Sequence, residues 1–214
     1  MARMMGCKFV AIVPIVVDIY DVHGTYEELE LFTETIERWE IFTAARLPRY
    51  MRVCYGALLN TYAEFEVKLS EKGNFYRMQY AKEALKVQVR AYFQEAKWFK
   101  KKYIPRMEEY MEVESNTSFY CFSTTSFLGL GAIVTIGSMN WVFSDPKIVK
   151  GAYVIGRLLN DIVGHKFEQK RGHIPSSVKC FINQYGVTEE NAKIELMKQA
   201  IDTKTDPEFK NRVC

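Results

Sequence analysis

Asp18 and Asp21 stand three residues apart in Val17-Asp18-Ile19-Tyr20-Asp21, at the end of the apolar run Phe9 to Val17 (FVAIVPIVV). On an α-helix that spacing sets both carboxylates on one face. Two carboxylates on one face suit a hard cation such as magnesium, which takes oxygen ligands and leaves positions open for the phosphate oxygens of a substrate. A solvated helix surface carries the same pattern, so the pair alone decides nothing. A second set lies far along the chain, formed by Arg157, Asn160, Asp161, Gly164 and Glu168. At about 100° per residue, Asn160, Gly164 and Glu168 fall on one stripe, with Arg157 beside it and Asp161 off it. The apolar residues Ile148, Ala152, Ile155, Leu159 and Ile162 lie opposite and are expected to face the core. Any amphipathic surface helix has this division, so the polar stripe gains a function only if it borders a cleft.

These groups must be positioned by helices, because the chain reads as all-α. Long amphipathic segments with few breakers dominate, and no period-two alternation persists long enough for a sheet. Gly24-Thr25 supplies a turn and an N-cap, and Glu28 completes a capping box before a helix to about Thr43. Pro48 opens the next helix, which runs to about Glu71 and stops at Lys72-Gly73-Asn74. Tyr76 to Lys102 carries another, ending before Pro105. A stretch from Glu108 to Val134 reads as a helix broken at Thr124-Thr125-Ser126 and at Gly129 and Gly131, residues that lower helix propensity and free backbone carbonyls. Ser144-Asp145-Pro146 starts the helix that carries the second polar set, to about Lys170. Ser176 to Tyr185 forms a shorter helix ending at Gly186, and Thr188 caps a last one to about Asp202. No repeat, low-complexity stretch or linker divides the 214 residues, so one domain is expected.

Composition narrows the function classes. With 29 Lys and Arg against 26 Asp and Glu, the net charge of +3 offers no general attraction for a phosphate backbone, and nucleic-acid binding is not expected. The five cysteines (Cys7, Cys54, Cys121, Cys180, Cys214) are scattered and never form a CxxC pair, which argues against a disulfide framework and a zinc site and for a reducing, cytoplasmic setting. The run Phe9 to Val17 is too short to span a bilayer, and Asp18, Tyr20 and Asp21 follow where a signal peptide needs small residues. Fourteen Phe, thirteen Tyr and three Trp read first as core, with a cation-stabilising cavity as the alternative. Gly129-Leu130-Gly131 lacks the third glycine and the strand of a dinucleotide fingerprint. His165 and His173, without a third ligand, read as surface residues, and His23 as a helix-end residue.

The runs DIYDVHGT (Asp18 to Thr25), TTSFLGLG (Thr124 to Gly131), SDPKIVKGAYVIGRLLNDIVGHKFEQKRGH (Ser144 to His173) and the following SSVKCFINQYGVT resemble plant class I terpene synthases, in particular the sesquiterpene cyclases of the cadinene and germacrene type. The resemblance covers nearly the whole chain. It implies an all-α terpenoid synthase bundle in which two metal motifs hold magnesium, with manganese as the alternative, and the diphosphate of farnesyl diphosphate. It implies metal-assisted loss of diphosphate followed by carbocation cyclisation. Asp18 and Asp21 match the second and fifth positions of the aspartate-rich DDxxD motif. Asn160 and Glu168 match the first and ninth positions of (N/D)DxxSxxxE, with Asp161 in a supporting place. Arg157 matches an arginine that contacts diphosphate in the family, as suits a bidentate donor. Thr124 and Thr125 match a helix break whose carbonyls stabilise developing positive charge.

Two positions depart from the family pattern. Val17 stands where the family has a metal-binding aspartate, and Gly164 where it has Ser or Thr. The chain is also short for the family, as the metal-binding part without the upstream helices or the closing helices and lid. The resemblance therefore carries two expectations, a working cyclase or an impaired remnant that at most binds isoprenyl diphosphates weakly.

Overall fold

Helices start at Tyr26, Ile136 and Glu189 where a threonine side chain satisfies an orphan N–H group of the first turn. The computed structural model describes residues 1–118, 126–171 and 176–205, with the side chains of 118 and 168–171 outside the description. The described helices include α1 Ala2–Asp18, α2 Tyr26–Arg38, α3 Arg49–Ser70, α4 Arg77–Lys101, α5 Met107–Ser118, α6 Ile136–Phe143, α7 Lys147–Arg171, α8 Ser177–Tyr185 and α9 Glu189–Thr205, and residues 126–128 are helical as well. No strand occurs among the described residues. At α2 the Glu28 amide donates to Thr25 Oγ1 and the Thr25 amide to a Glu28 carboxylate oxygen, the reciprocal pair of a capping box. Gly186, at φ 66°, ends α8 in the left-handed conformation that glycine adopts at least cost.

Three segments differ from the sequence reading. α2 stops at Arg38 because Trp39 turns left-handed (φ 57°), and residues Ile41–Arg46 form a 3₁₀ turn where helix was expected to continue to about Thr43. Of the broken helix expected over 108–134, the described residues show α5 to Ser118, helix again at 126–128, and a 3₁₀ turn over Gly131–Ile133. Thr124 and Thr125 lie outside the described residues. α6 was not anticipated: Thr135 caps it by accepting from the Ser138 amide at 3.2 Å, a signal hidden among the surrounding apolar residues.

The chain divides into two compact units. The first comprises Met1–Phe93 and Cys121–Ser144. Its core is built from one stripe of each long helix, with Phe9, Ile12 and Val16 on α1, Phe32 and Ile36 on α2, Tyr55, Leu58, Tyr62 and Phe65 on α3, and Ala81, Leu85 and Val89 on α4, all nearly inaccessible. These spacings of three and four residues keep one face of each helix buried. The second unit comprises Gln94–Tyr120 and Asp145–Cys214. Here α7 packs against α5, α8 and α9. Trp98, Met107, Tyr110, Leu158, Val178, Phe181 and Leu196 form its core.

A cation is sealed into the first unit with backbone carbonyls as its acceptors. Arg77, 1% exposed, donates from Nη1 to the Leu128 carbonyl at 2.9 Å and from Nη2 to the carbonyls of Gly131 at 2.8 Å and Val134 at 2.6 Å. It thereby terminates the turn before α6 with charge-assisted bonds. Arg77→Ala is expected to lower unfolding stability by about 3 kcal/mol, because three carbonyls lose the guanidinium together while that of Val134 keeps another donor, the Tyr76 hydroxyl, and Arg77→Lys to recover only part of that. Urea unfolding of the three proteins measures it, and a loss below about 1 kcal/mol would show that water replaces the guanidinium.

Candidate functional site

α1 ends at Asp18, and the chain continues as a π-turn over Ile19–His23, closed by the Gly24 amide donating to the Ile19 carbonyl at 2.9 Å. The α-helical geometry assumed for the acidic pair therefore ends at its first member, and the wider turn sets Asp21 differently around the axis. Within the turn, Ile19 and Tyr20 are buried while Asp18, Asp21, Val22 and His23 are exposed. Tyr20 anchors this division. Its hydroxyl shares a 2.7 Å hydrogen bond with Thr33, and its ring lies 5.6 Å from that of Tyr92 and 6.0 Å from that of Phe32. Burial pushes the Tyr20 phenol far above its ordinary range, so it remains a neutral strut. Gly24 is required by space, since a Cβ there would lie 2.9 Å from the Ile19 carbonyl oxygen and press on the Leu29 side chain. Val17 is half-buried beside the pair.

In the second unit α7 buries a face that hydropathy did not indicate. Tyr153, Leu158, Asp161 and His165 are buried, whereas Ala152 is exposed and Leu159 is 38% exposed. The apolar stripe expected to face the core is thus partly turned to solvent. Polar residues hold core positions here because each finds partners. Asp161, 1% exposed, accepts from the Tyr110 hydroxyl at 2.6 Å and from the Ser177 amide at 2.8 Å, which also satisfies an N–H in the first turn of α8. His165 is not a surface residue: it is 4% exposed, its Nδ1 lies 2.8 Å from Ser176 Oγ, and burial lowers its basicity.

Arg157 joins this buried set from the preceding turn of α7. Its Nε lies 2.8 Å from a Glu114 carboxylate oxygen, and its Nη1 lies 3.4 Å from Asp161. Its Nη2 reaches Thr117 Oγ1 at 3.5 Å, and Glu114 also accepts from Thr117 Oγ1 at 3.0 Å. Burial disfavours the charged guanidinium, but Glu114 first, then Tyr110, Asp161 and Glu95, outweigh it and hold the side chain firmly protonated. Glu114 and the partners Tyr110 and Thr117 were not singled out from sequence. A buried acid one turn beyond a tyrosine on α5 has no signal until α5 and α7 are placed together.

The remaining residues of the second set are placed differently. Asn160 is exposed and Gly164 half-buried. Glu168 lies on α7, with its side chain outside the described residues. No cluster of three or more His, Cys, Asp or Glu poised to hold a metal occurs among the described residues. As donors, the exposed carboxylates of Asp18 and Asp21 and the exposed amide oxygen of Asn160 are hard oxygen groups, the chemistry that fits magnesium.

The all-α arrangement is that of the class I terpenoid synthases. Isoprene synthase from grey poplar leaves (Populus x canescens), solved with three Mg2+ ions and dimethylallyl-S-thiolodiphosphate, superposes with a TM-score of 0.88 at 30% identity, over 94% of this chain and 39% of that chain. Limonene synthase with 2-fluorolinalyl diphosphate gives the same TM-score and identity over 94% of this chain and 37% of that chain. The chain belongs to the terpene synthase family, whose metal binding domain profile matches residues 1–206. It is 53% identical to (-)-germacrene D synthase of Vitis vinifera over 91% of this chain and 35% of that protein. It is 52% identical to valencene synthase of Vitis vinifera over 92% of this chain and 36% of that protein. The chain thus spans about a third of the length of these curated relatives.

The Asp161 carboxyl yields a test of the buried cluster. Burial raises its pKa and Glu114 adds to the rise, while Arg157, Tyr110 and the Ser177 amide pull it down, and the balance is upward. The native chain therefore holds this proton more tightly than the unfolded chain. The stability so contributed is complete below the unfolded carboxyl value of about 3.9 and is lost as pH rises through the higher native value. Asp161→Asn removes that dependence. Urea midpoints measured from pH 4 to 7 are expected to fall with pH for the wild type relative to the variant, and a constant difference would assign the proton elsewhere.

Proposed function

We propose that this chain is the metal- and diphosphate-binding part, residues 1–214, of a magnesium-dependent sesquiterpene synthase that ionises farnesyl diphosphate and cyclises the resulting carbocation. The observation that carries the reading is the identity of 53% and 52% to two sesquiterpene-type synthases across more than nine-tenths of the chain. In this reading Asp18, Asp21, Asn160 and Glu168 hold the metal ions. Bound magnesium, or manganese in its place, supplies the positive charge that makes diphosphate a leaving group. Arg157 donates to phosphate oxygens, a role suited to its planar fork and permanent charge. Tyr110 and the Ser177 amide hold the Asp161 carboxylate, and Asp161 in turn flanks Arg157, so the arginine is positioned by a network. Thr124 and Thr125 are assigned to stabilising positive charge on the hydrocarbon, and they lie outside the described residues. No described helix is long and apolar enough to cross a membrane, and a cytoplasmic setting accords with the cysteine usage.

A second reading is favoured by Val17 and Gly164, which put an isopropyl group and a hydrogen where the family pattern has oxygen ligands. Removing one preorganised electrostatic group typically costs about 3–4 kcal/mol of barrier, a factor of roughly 100 to 1,000 in rate. An impaired synthase that binds isoprenyl diphosphates weakly would follow.

Incubating the purified chain with farnesyl diphosphate, with and without magnesium, separates the readings when diphosphate release and hydrocarbon products are followed together. Metal-dependent cyclic hydrocarbon is expected from a working synthase. Release accompanied only by farnesol-like alcohols would mean ionisation with water capturing the cation, and no release would favour the impaired protein. Restoring the oxygen ligands by Val17→Asp and Gly164→Ser is expected to tighten magnesium-dependent substrate binding by roughly tenfold or more each, the larger gain coming from the charged residue. Unchanged affinity in both variants would remove these positions from the metal site.

A further inference from the structure

Glu114 has no task in the chemistry proposed above, yet it pairs closely with Arg157. It is 4% exposed, and its carboxylate lies 2.8 Å from Arg157 Nε. Three acids surround this one guanidinium, because Asp161 (1% exposed) and Glu95 (5% exposed) also raise its proton affinity. The Nη1 and Nη2 contacts, at 3.4 and 3.5 Å, are longer than the Nε contact. A buried carboxylate at hydrogen-bond distance from a phosphate-binding arginine both occupies a donor and repels an incoming anion, an interaction that a low-dielectric setting strengthens.

We propose that Glu114 is an internal counter-anion that occupies Arg157 and competes with diphosphate for it, so that diphosphate binding requires the Glu114–Arg157 pair to open. The proposal rests on the reading of Arg157 as a diphosphate contact. A diphosphate wins this competition by offering several oxygens and more charge than a carboxylate. Asp161 remains beside the guanidinium throughout, so opening the pair leaves Arg157 an acid partner, while the Glu114 carboxylate keeps the Thr117 hydroxyl and its lost pairing is the cost the ligand must offset. Glu114 thereby lowers the basal affinity for any phosphate compound. A positioning role, in which Glu114 fixes Nε so that the two Nη groups face the ligand, gives the opposite result on mutation.

Glu114→Gln separates the two, since the amide oxygen still accepts from Nε–H while the charge is gone. Calorimetric titration of inorganic pyrophosphate in excess magnesium chloride is carried out on the wild type, E114Q and the double variant E114Q/R157Q, with folding checked by circular dichroism. Binding about tenfold tighter in E114Q, with the gain abolished in the double variant, is expected from removal of a competing charge. Equal or weaker binding by E114Q beside a wild type that binds overturns the proposal and leaves the diphosphate reading intact. Absence of binding in all three proteins overturns both. If E114Q does not fold, the Arg157 Nε–H resonance of the wild type decides. A changed shift and faster solvent exchange on adding magnesium pyrophosphate are expected, and an unaltered resonance in the pyrophosphate-bound protein overturns the proposal.

Discussion

Holding the half-buried Arg157 guanidinium against buried acids is the constraint on which the second unit depends. A cation taken from water into a packed interior is tolerated only where acids and hydrogen bonds replace its hydration, and the replacement must be geometrically good. Glu114 from α5 and Asp161 from α7 meet that need, and each then requires donors of its own. Thr117 donates to Glu114, and Tyr110 and the Ser177 amide donate to Asp161. The chain of obligations thus runs from one arginine to α5, α7 and the first turn of α8. Two helices and the start of a third are tied by groups that cannot be left unpaired, whereas their apolar faces could slide against one another at smaller cost.

The first unit solves a similar problem by other means. Arg77 is as deeply buried as Asp161, but backbone carbonyls at the turn before α6 take its donors. Carbonyls neutralise less charge than a carboxylate, yet three of them fix the path of the backbone where regular helix bonds are absent. The acidic pair is presented by the same logic of anchoring. Burying Ile19 and Tyr20 forces Asp18, Asp21 and His23 outward, and the π-turn provides the local geometry that permits it. Exposed carboxylates keep their hydration, which accords with the metal-ligand role proposed for Asp18 and Asp21.

What sequence could reveal follows from which interactions are local. The Thr25–Glu28 capping box, Pro48 before α3 and Gly186 after α8 act within a few residues, and these boundaries were legible. The π-turn was not, because a single inserted residue in the hydrogen-bond ladder leaves no compositional trace. The face of α7 was misread for a different reason. Hydropathy assigns Asp161 and His165 to solvent, and only the presence of Tyr110, Ser176 and Ser177 from elsewhere in the chain makes their burial affordable. The proposed metal and diphosphate residues are indicated by family resemblance alone, since spacing could not distinguish them from an ordinary polar face. Glu114 escaped both routes, as it belongs to no motif and its meaning depends wholly on its distance from Arg157.

The two departures from the family pattern are unequal in physical terms. At Gly164 the pattern lacks a neutral hydroxyl, and a water molecule can stand in for it with similar donor and acceptor capacity. At Val17 it lacks a charge, and water supplies none. The half-buried Val17 side chain adds apolar surface next to Asp18, which further weakens hydration around a bound cation. Charge balance compounds the difference. With one acid fewer in the first motif than the family pattern has, and with Glu114, Asp161 and Glu95 acting on Arg157, negative charge is short at the proposed cation ligands and abundant at the proposed diphosphate contact. In the proposed site both imbalances would oppose the assembly of metal and diphosphate. They act through separate residues, so restoring the aspartate would strengthen cation binding and leave the competition for Arg157 in place.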